Sequence, residues 1–177
     1  MPSWRVSPDR VAVVLPGRGY TPARPLLHFT RSVLEFHGWT VREVWWRPPV
    51  LSEYLPWVRE QAESALDTTP VAELLIGKSL GSLAAPVAAR RGLPAVWLTP
   101  LLSNAAVVDA LAKATAPTLL VGGTGDVLWD SQLARSSGHQ VFEVDDADHS
   151  METPDPARSA DIVRRFTVRL SEFVSAL

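Results

Sequence analysis

The chain has 177 residues, no cysteine and a formal charge of −2 at neutral pH. That length suits one domain, which buries roughly 70% of the surface of its unfolded form and needs no covalent staples. The missing thiols exclude disulfides, thiolate metal sites and a cysteine nucleophile, and the small charge gives no electrostatic case for nucleic acid or an anionic membrane.

Every basic residue except Lys78 and Lys113 is an arginine, and these are scattered apart from the pairs Arg90-Arg91 and Arg164-Arg165. Met1 to Arg10 lacks the apolar run of a signal peptide, and no uninterrupted apolar stretch approaches the ~18 residues of a membrane span. A cytoplasmic protein without a membrane span is therefore expected. The sequence contains no internal repeat or low-complexity segment.

Short apolar runs alternate with longer amphipathic ones, the pattern of β-α units feeding a parallel sheet. Val11 to Leu15 is β-branched and stopped by Pro16-Gly17, which predicts a buried first strand. A helix is expected from Pro22 to His37, ended by Gly38, and then a second strand from Trp39 to Trp46, halted by Pro48-Pro49. Ser52 is suited to cap a helix reaching Leu66, with Pro56 in its first turn. Val71 to Ile76 predicts the third strand, Leu80 to Arg91 a helix closed by Gly92, and Pro94 to Thr99 the fourth strand. A short helix over Asn104 to Lys113 precedes a fifth strand, Thr118 to Val121. Asp130 to Ser137 reads as a helix and Gln140 to Val144 as a sixth strand. In the last helix, Pro156 to Ala176, Ile162, Val163, Phe166, Leu170 and Phe173 fall near one stripe. These elements predict a single α/β domain: a doubly wound, mainly parallel six-stranded sheet with helices on both faces. Right-handed crossovers place the loops after the strands on one edge, where the chemistry is expected.

Gly77-Lys78-Ser79-Leu80-Gly81 is a G-x-S-x-G sequence lying between a strand and a helix. In that setting the serine occupies a sharp turn, its hydroxyl is exposed, and backbone N–H groups at the helix start favour developing negative charge. A plain capping serine on a tight turn is the competing reading, and the strand–turn–helix context favours the nucleophile. Gly77-Lys78-Ser79 is not the end of a phosphate-binding loop: Ala72 stands where that motif needs glycine.

A serine hydroxyl needs a base to take its proton, and the base needs a third group to fix its tautomer. Thr118 to Gly125 is a strand running into a glycine-rich turn that ends on Asp126. Gly123-Thr-Gly125 lacks the third glycine of a dinucleotide loop, and an aspartate there would repel a pyrophosphate. Val141 to Asp148 is a strand and polar loop leading to His149. His28 and His37 fall in the first helix and His139 precedes its strand, so His149 is the histidine expected at the active edge. Asp126 is preferred as its partner over Asp130, a candidate helix cap, and over Asp145, Asp146 and Asp148, which crowd the histidine in sequence. An acyl-transfer site also needs two N–H donors for an oxyanion. Leu80 is expected to supply one and Arg18, in the loop after the first strand, the other.

Together these four pieces resemble the α/β-hydrolase superfamily, with the likeness running from Val11 to the last helix. The resemblance implies Ser79 as nucleophile, Asp126 as acid, His149 as base, and Arg18 and Leu80 N–H groups as the oxyanion hole, with no cofactor and no metal. Pro16-Gly17 replaces the usual His-Gly of the oxyanion loop, and Pro100 to Ala116 leaves no room for a lid. The implied protein is a minimal, lidless serine hydrolase of the carboxylesterase or thioesterase kind. Its substrate would be a small acyl ester or an acyl group on a larger carrier. An acyltransferase, or an inactive scaffold used in binding or regulation, would share the sequence features. Tyr20, Trp45, Trp46 and Trp129 are candidate pocket residues that suit packing equally well. Lys78 is expected to be solvated rather than to steer an anionic substrate.

Overall fold

The computed structural model describes residues 10–69 and 72–177. Met1 to Asp9, on which the reading of the N-terminus rests, and Val71, the first residue of the expected third strand, lie outside the described residues. The strands are β1 (Val11–Leu15), β2 (Thr40–Glu43), β3 (Ala72–Lys78), β4 (Ala95–Leu98), β5 (Thr118–Gly123) and β6 (Gln140–Val144). The helices are α1 (Pro25–Phe36), α2 (Leu55–Asp67), α3 (Ala85–Arg91), α4 (Ala105–Lys113), α5 (Ser131–Ser136) and α6 (Pro156–Ser175), with a 3₁₀ helix, Ser79–Ala84, ahead of α3.

All strand pairs are parallel, in the order β2-β1-β3-β4-β5-β6. A parallel sheet covered on both faces is made of strands apolar throughout, and β1 and the middle of β3 are wholly buried. Alternation along the strands sorts their side chains into two core layers. Val13, Leu15, Leu75, Trp97 and Leu120 pack toward α2, α3 and α4, while Ala12, Val14, Leu74, Ile76, Val96, Leu98, Leu119 and Val121 pack toward α1 and α6.

Element ends depart from the sequence expectation where a neighbouring strand or a proline decides them. β2 stops at Glu43 rather than Trp46. Val44 N–H still reaches Val14 carbonyl at 2.9 Å, but β1 then runs into Pro16, which has no N–H to continue a ladder. β3 continues two residues beyond Ile76, pairing Gly77 with Leu15 and Lys78 with Leu98. The helix expected from Leu80 is split, because Pro86 cannot donate to the turn before it. α2 begins after Tyr54, and Ser52 makes no capping bond.

Helix α6 buries Ile162, Phe166, Leu170, Phe173 and Val174 against the sheet, with Val163 only half-buried. Phe166 is fully buried. Replacing it by alanine removes a large aromatic and leaves a cavity, so Phe166→Ala is expected to lower stability by about 3–5 kcal/mol in urea unfolding. A loss below about 1 kcal/mol would contradict this packing.

Candidate active site

β3 delivers Ser79 to the edge formed by the strands' C-terminal ends, and there the backbone turns left-handed, with φ 50° at Ser79. A non-glycine residue in that region stores about 1–3 kcal/mol, so its surroundings must hold it there. The two flanking glycines allow this. A Cβ on Gly77 would stand 2.6 Å from the Gly81 carbonyl oxygen and 2.7 Å from the Trp97 ring, and one on Gly81 would stand 2.7 Å from the Leu15 carbonyl. Strand and 3₁₀ helix thus touch across the turn, with Ser79 projecting from it. The next residue along β4, Thr99, has φ 42° and a buried hydroxyl without a partner, so strain is concentrated at this edge.

Ser79 Oγ lies 2.7 Å from His149 Nε2, and His149 Nδ1 lies 2.7 Å from Asp126 Oδ2. Ionised Asp126 accepts only, so Nδ1 carries the imidazole proton and Nε2 is left to accept from the serine hydroxyl. The aspartate side chain is 2% exposed and the histidine 36%. Burial pushes the Asp126 carboxyl upward in pKa. Hydrogen bonds from His149 and Leu128 N–H, with the charge of Lys78, outweigh that and hold it below the ordinary carboxylate range. The loops after β5 and β6 are bound together: Gly125 N–H donates to Ala147 carbonyl at 3.1 Å, and a Cβ on Gly123 would strike that oxygen at 2.2 Å.

The loop after β1 adjoins the serine, since a Cβ on Gly17 would come within 3.6 Å of Ser79 Cβ. Leu80 N–H belongs to the first turn of the 3₁₀ helix, where backbone donors lack partners within the helix. Arg18 is exposed, and its guanidinium stands over the Tyr54 ring at 5.3 Å.

No family model matches the chain, and neither does any curated protein. Solved structures match over nearly its whole length. An esterase from Pyrococcus furiosus, Pf2001, shares 14% identity with a TM-score of 0.68, covering 97% of this chain and 84% of that one. A protein of the α/β-hydrolase superfamily from Xanthomonas campestris shares 21% at a TM-score of 0.69, covering 94% and 99%. Est1E from Butyrivibrio proteoclasticus, with ferulic acid bound, shares 12% at 0.72, covering 96% and 90%. The chain has the α/β-hydrolase fold.

Within this α/β-hydrolase fold the remaining candidates take different places. Trp45 is 62% exposed on the loop after β2. Trp46 is half-buried, donates its indole N–H to the Gly17 carbonyl at 3.1 Å and packs against Trp57 with ring centroids 5.1 Å apart. Trp129 is buried, lies over Gly122 and donates to Glu143 at 2.7 Å. Tyr20 is buried and accepts Leu26 N–H at 3.0 Å through its hydroxyl. Burial raises its pKa. Several of the other acids and histidines are engaged elsewhere. Asp130 caps α5, and Asp148 accepts from Ser150 and Glu152 N–H groups. His37 meets Ser171, and His139 meets the Leu111 carbonyl. Sequence reasoning missed Trp57 and Tyr54, which brace the loop after β1; the aromatic-rich run from Trp45 to Trp57 was the available signal. Among the described residues no group of three or more His, Asp or Glu is arranged to hold a metal ion, and no helix is long and apolar enough to cross a membrane.

Lys78 corrects its expectation. It is 1% exposed, not solvated. Because β3 extends through it, strand alternation puts its side chain on the same face as Leu74 and Ile76, toward α1 and α6. Its ammonium donates to the His149 carbonyl at 2.8 Å and sits 4.7 Å from the Tyr20 ring centroid. Burial lowers its pKa from 10.5 to about 8, against the opposing pull of Asp126 and Asp148. Below pH 8 the ammonium is charged in both folded and unfolded chains, and the folded state bears the full desolvation cost. As pH climbs from about 8 to 10.5 the folded amine loses its proton first and the cost disappears. The stability of the wild type relative to Lys78→Met should therefore rise across that window by up to roughly 3 kcal/mol. Urea unfolding of both proteins at several pH values measures this, and a flat difference would contradict it.

Proposed function

We propose that this protein is a serine hydrolase that cleaves an ester or thioester bond through an acyl-enzyme intermediate. The observation that carries the reading is the unbroken chain of two 2.7 Å hydrogen bonds from Ser79 through His149 to Asp126. In this scheme Ser79 Oγ attacks the acyl carbonyl as His149 Nε2 takes its proton. Asp126, held ionised, stabilises the imidazolium and keeps the ring in one tautomer. The oxyanion is received by the N–H groups of Leu80 and Arg18. Collapse of the tetrahedral intermediate breaks the bond to the leaving group, which takes the proton back from His149. A water molecule, deprotonated by the same nitrogen, then releases the acid and restores the serine.

An apolar acyl group is the substrate class that the surroundings favour. Trp45, Val50, Leu51 and Val127 are exposed on loops after β2 and β5, at the same edge as Ser79. Isolated apolar side chains on a surface need no explanation, but several on loops that leave the same edge of the sheet offer contact area for a hydrocarbon chain. The substrate would be a small acyl ester or an acyl group presented on a larger carrier.

Turnover of a panel of p-nitrophenyl esters and acyl thioesters tests the proposal. Ser79→Ala should retain its melting temperature and lose at least about 10³-fold in kcat, while Asp126→Asn, which presents the wrong tautomer, should lose about 10³- to 10⁴-fold. Wild-type rates surviving in Ser79→Ala would refute the assignment. Acyl transfer to an added alcohol or amine in preference to water would make the protein an acyltransferase instead.

A further inference from the structure

Lys78 has no part in the mechanism just described, yet it is the buried cation nearest to it. Its side chain is almost wholly excluded from solvent, and desolvating an ammonium is costly unless the surroundings reward it. Three elements face it. The loop after β1 contributes the Tyr20 ring at 4.7 Å, the loop after β6 contributes the His149 carbonyl at 2.8 Å and the charge of Asp148, and the loop after β5 contributes the charge of Asp126. Among the described residues, the hydrogen bond that the ammonium donates goes to the main chain of the residue whose side chain meets Ser79.

The covalent path adds to this. Lys78 and Ser79 are consecutive, at the end of one strand buried in the middle of the sheet. Ser79 holds the His149 imidazole at Nε2 while Lys78 holds the His149 carbonyl, so side chain and backbone of one residue are tied to the same strand end. Asp126 supplies the third point, at Nδ1. A histidine held at both ring nitrogens and at its main-chain carbonyl keeps its reach to the hydroxyl when the surrounding loop fluctuates, and misplacement by about 1 Å can cost 10²-fold in rate.

We propose that Lys78 is a positioning residue for the general base, fixing the His149 main chain to the nucleophile's own strand so that the imidazole stays in register with the Ser79 hydroxyl. This rests on the reading of Ser79 and His149 as nucleophile and base. An apolar residue of equal length would fill the same space without the cost of a buried charge. The side chain is thus predicted to serve activity at some expense of stability.

The test compares wild type with Lys78→Met and Lys78→Gln in three measurements: thermal unfolding, steady-state hydrolysis of p-nitrophenyl butyrate, and the rate of Ser79 labelling by a neutral fluorophosphonate. The expected result is a Lys78→Met protein at least as heat-stable as wild type, with kcat and labelling rate each reduced roughly 10- to 100-fold, and with KM changed less than about threefold. Lys78→Gln, which keeps a donor on a shorter stem, should fall between the two. Rates within twofold of wild type in folded Lys78→Met would overturn the proposal. So would a rise in KM alone, which would make Lys78 a substrate-binding group, or failure of both variants to fold, which would make it purely structural. If wild type itself neither turns over esters nor labels at Ser79, the hydrolase reading fails and this one falls with it. A labelled wild type with an equally reactive Lys78→Met removes the positioning role alone.

Discussion

The site depends on a serine held in a backbone conformation that serine disfavours. Ser79 sits at φ 50° because the chain must leave a buried central strand and start a helix within one residue. Only glycine on either side permits that crossing, since Gly77 and Gly81 come so close that a methyl on the first would overlap the backbone of the second. The strain is sustained by β3 itself. Leu74, Leu75 and Ile76 are fully buried between the two helical layers, and the strand is paired on both sides by β1 and β4. Packing far from the Ser79 hydroxyl thus sets its position.

What surrounds the serine is a buried polar chain rather than a set of independent contacts. Asp126 stays ionised in a nearly solvent-free place because His149, Leu128 N–H and Lys78 all favour its charged form. Lys78 in turn keeps a charge in the interior through the same aspartate, Asp148 and the His149 carbonyl. Each group lessens the desolvation cost of another, as satisfied polar networks do in a medium of low dielectric. The hydrogen bonds of the network tie the loop after β6 both to the loop after β5, through Asp126, and to the end of β3, through Lys78 and Ser79. Parallel topology makes the arrangement possible: the loops after β3, β5 and β6 all emerge at one edge.

The alternation of apolar runs with amphipathic segments carried the fold, and β6 was bounded correctly from residues alone. Ser79, Asp126 and His149 stood out in the residues because each follows a strand and stands beside glycine or in a polar loop, and the fold brings the three within hydrogen-bond distance. Strand ends were less legible. They depend on whether the neighbouring strand still offers donors, which is why β2 stops where β1 meets Pro16 and β3 runs on beside β4. The error at Lys78 has the same origin. A lysine after an apolar run reads as solvated, but two more residues of strand turn it into a buried one. Trp46 and Trp129 present the general difficulty with aromatics. Composition placed both near the site, whereas only the fold reveals that one indole grips the Gly17 carbonyl and the other lies over Gly122.

The central claim is that Ser79 and His149 act as one unit, the second having no role in catalysis without the first. Measuring kcat/KM for Ser79→Ala, His149→Ala and the double variant on one activated ester tests it most directly. Groups acting as a unit are grossly non-additive, so the account predicts that the double variant is about as slow as either single one. Losses that multiply, with the double variant slower by the product of the two single effects, would show two independent contributions and contradict it.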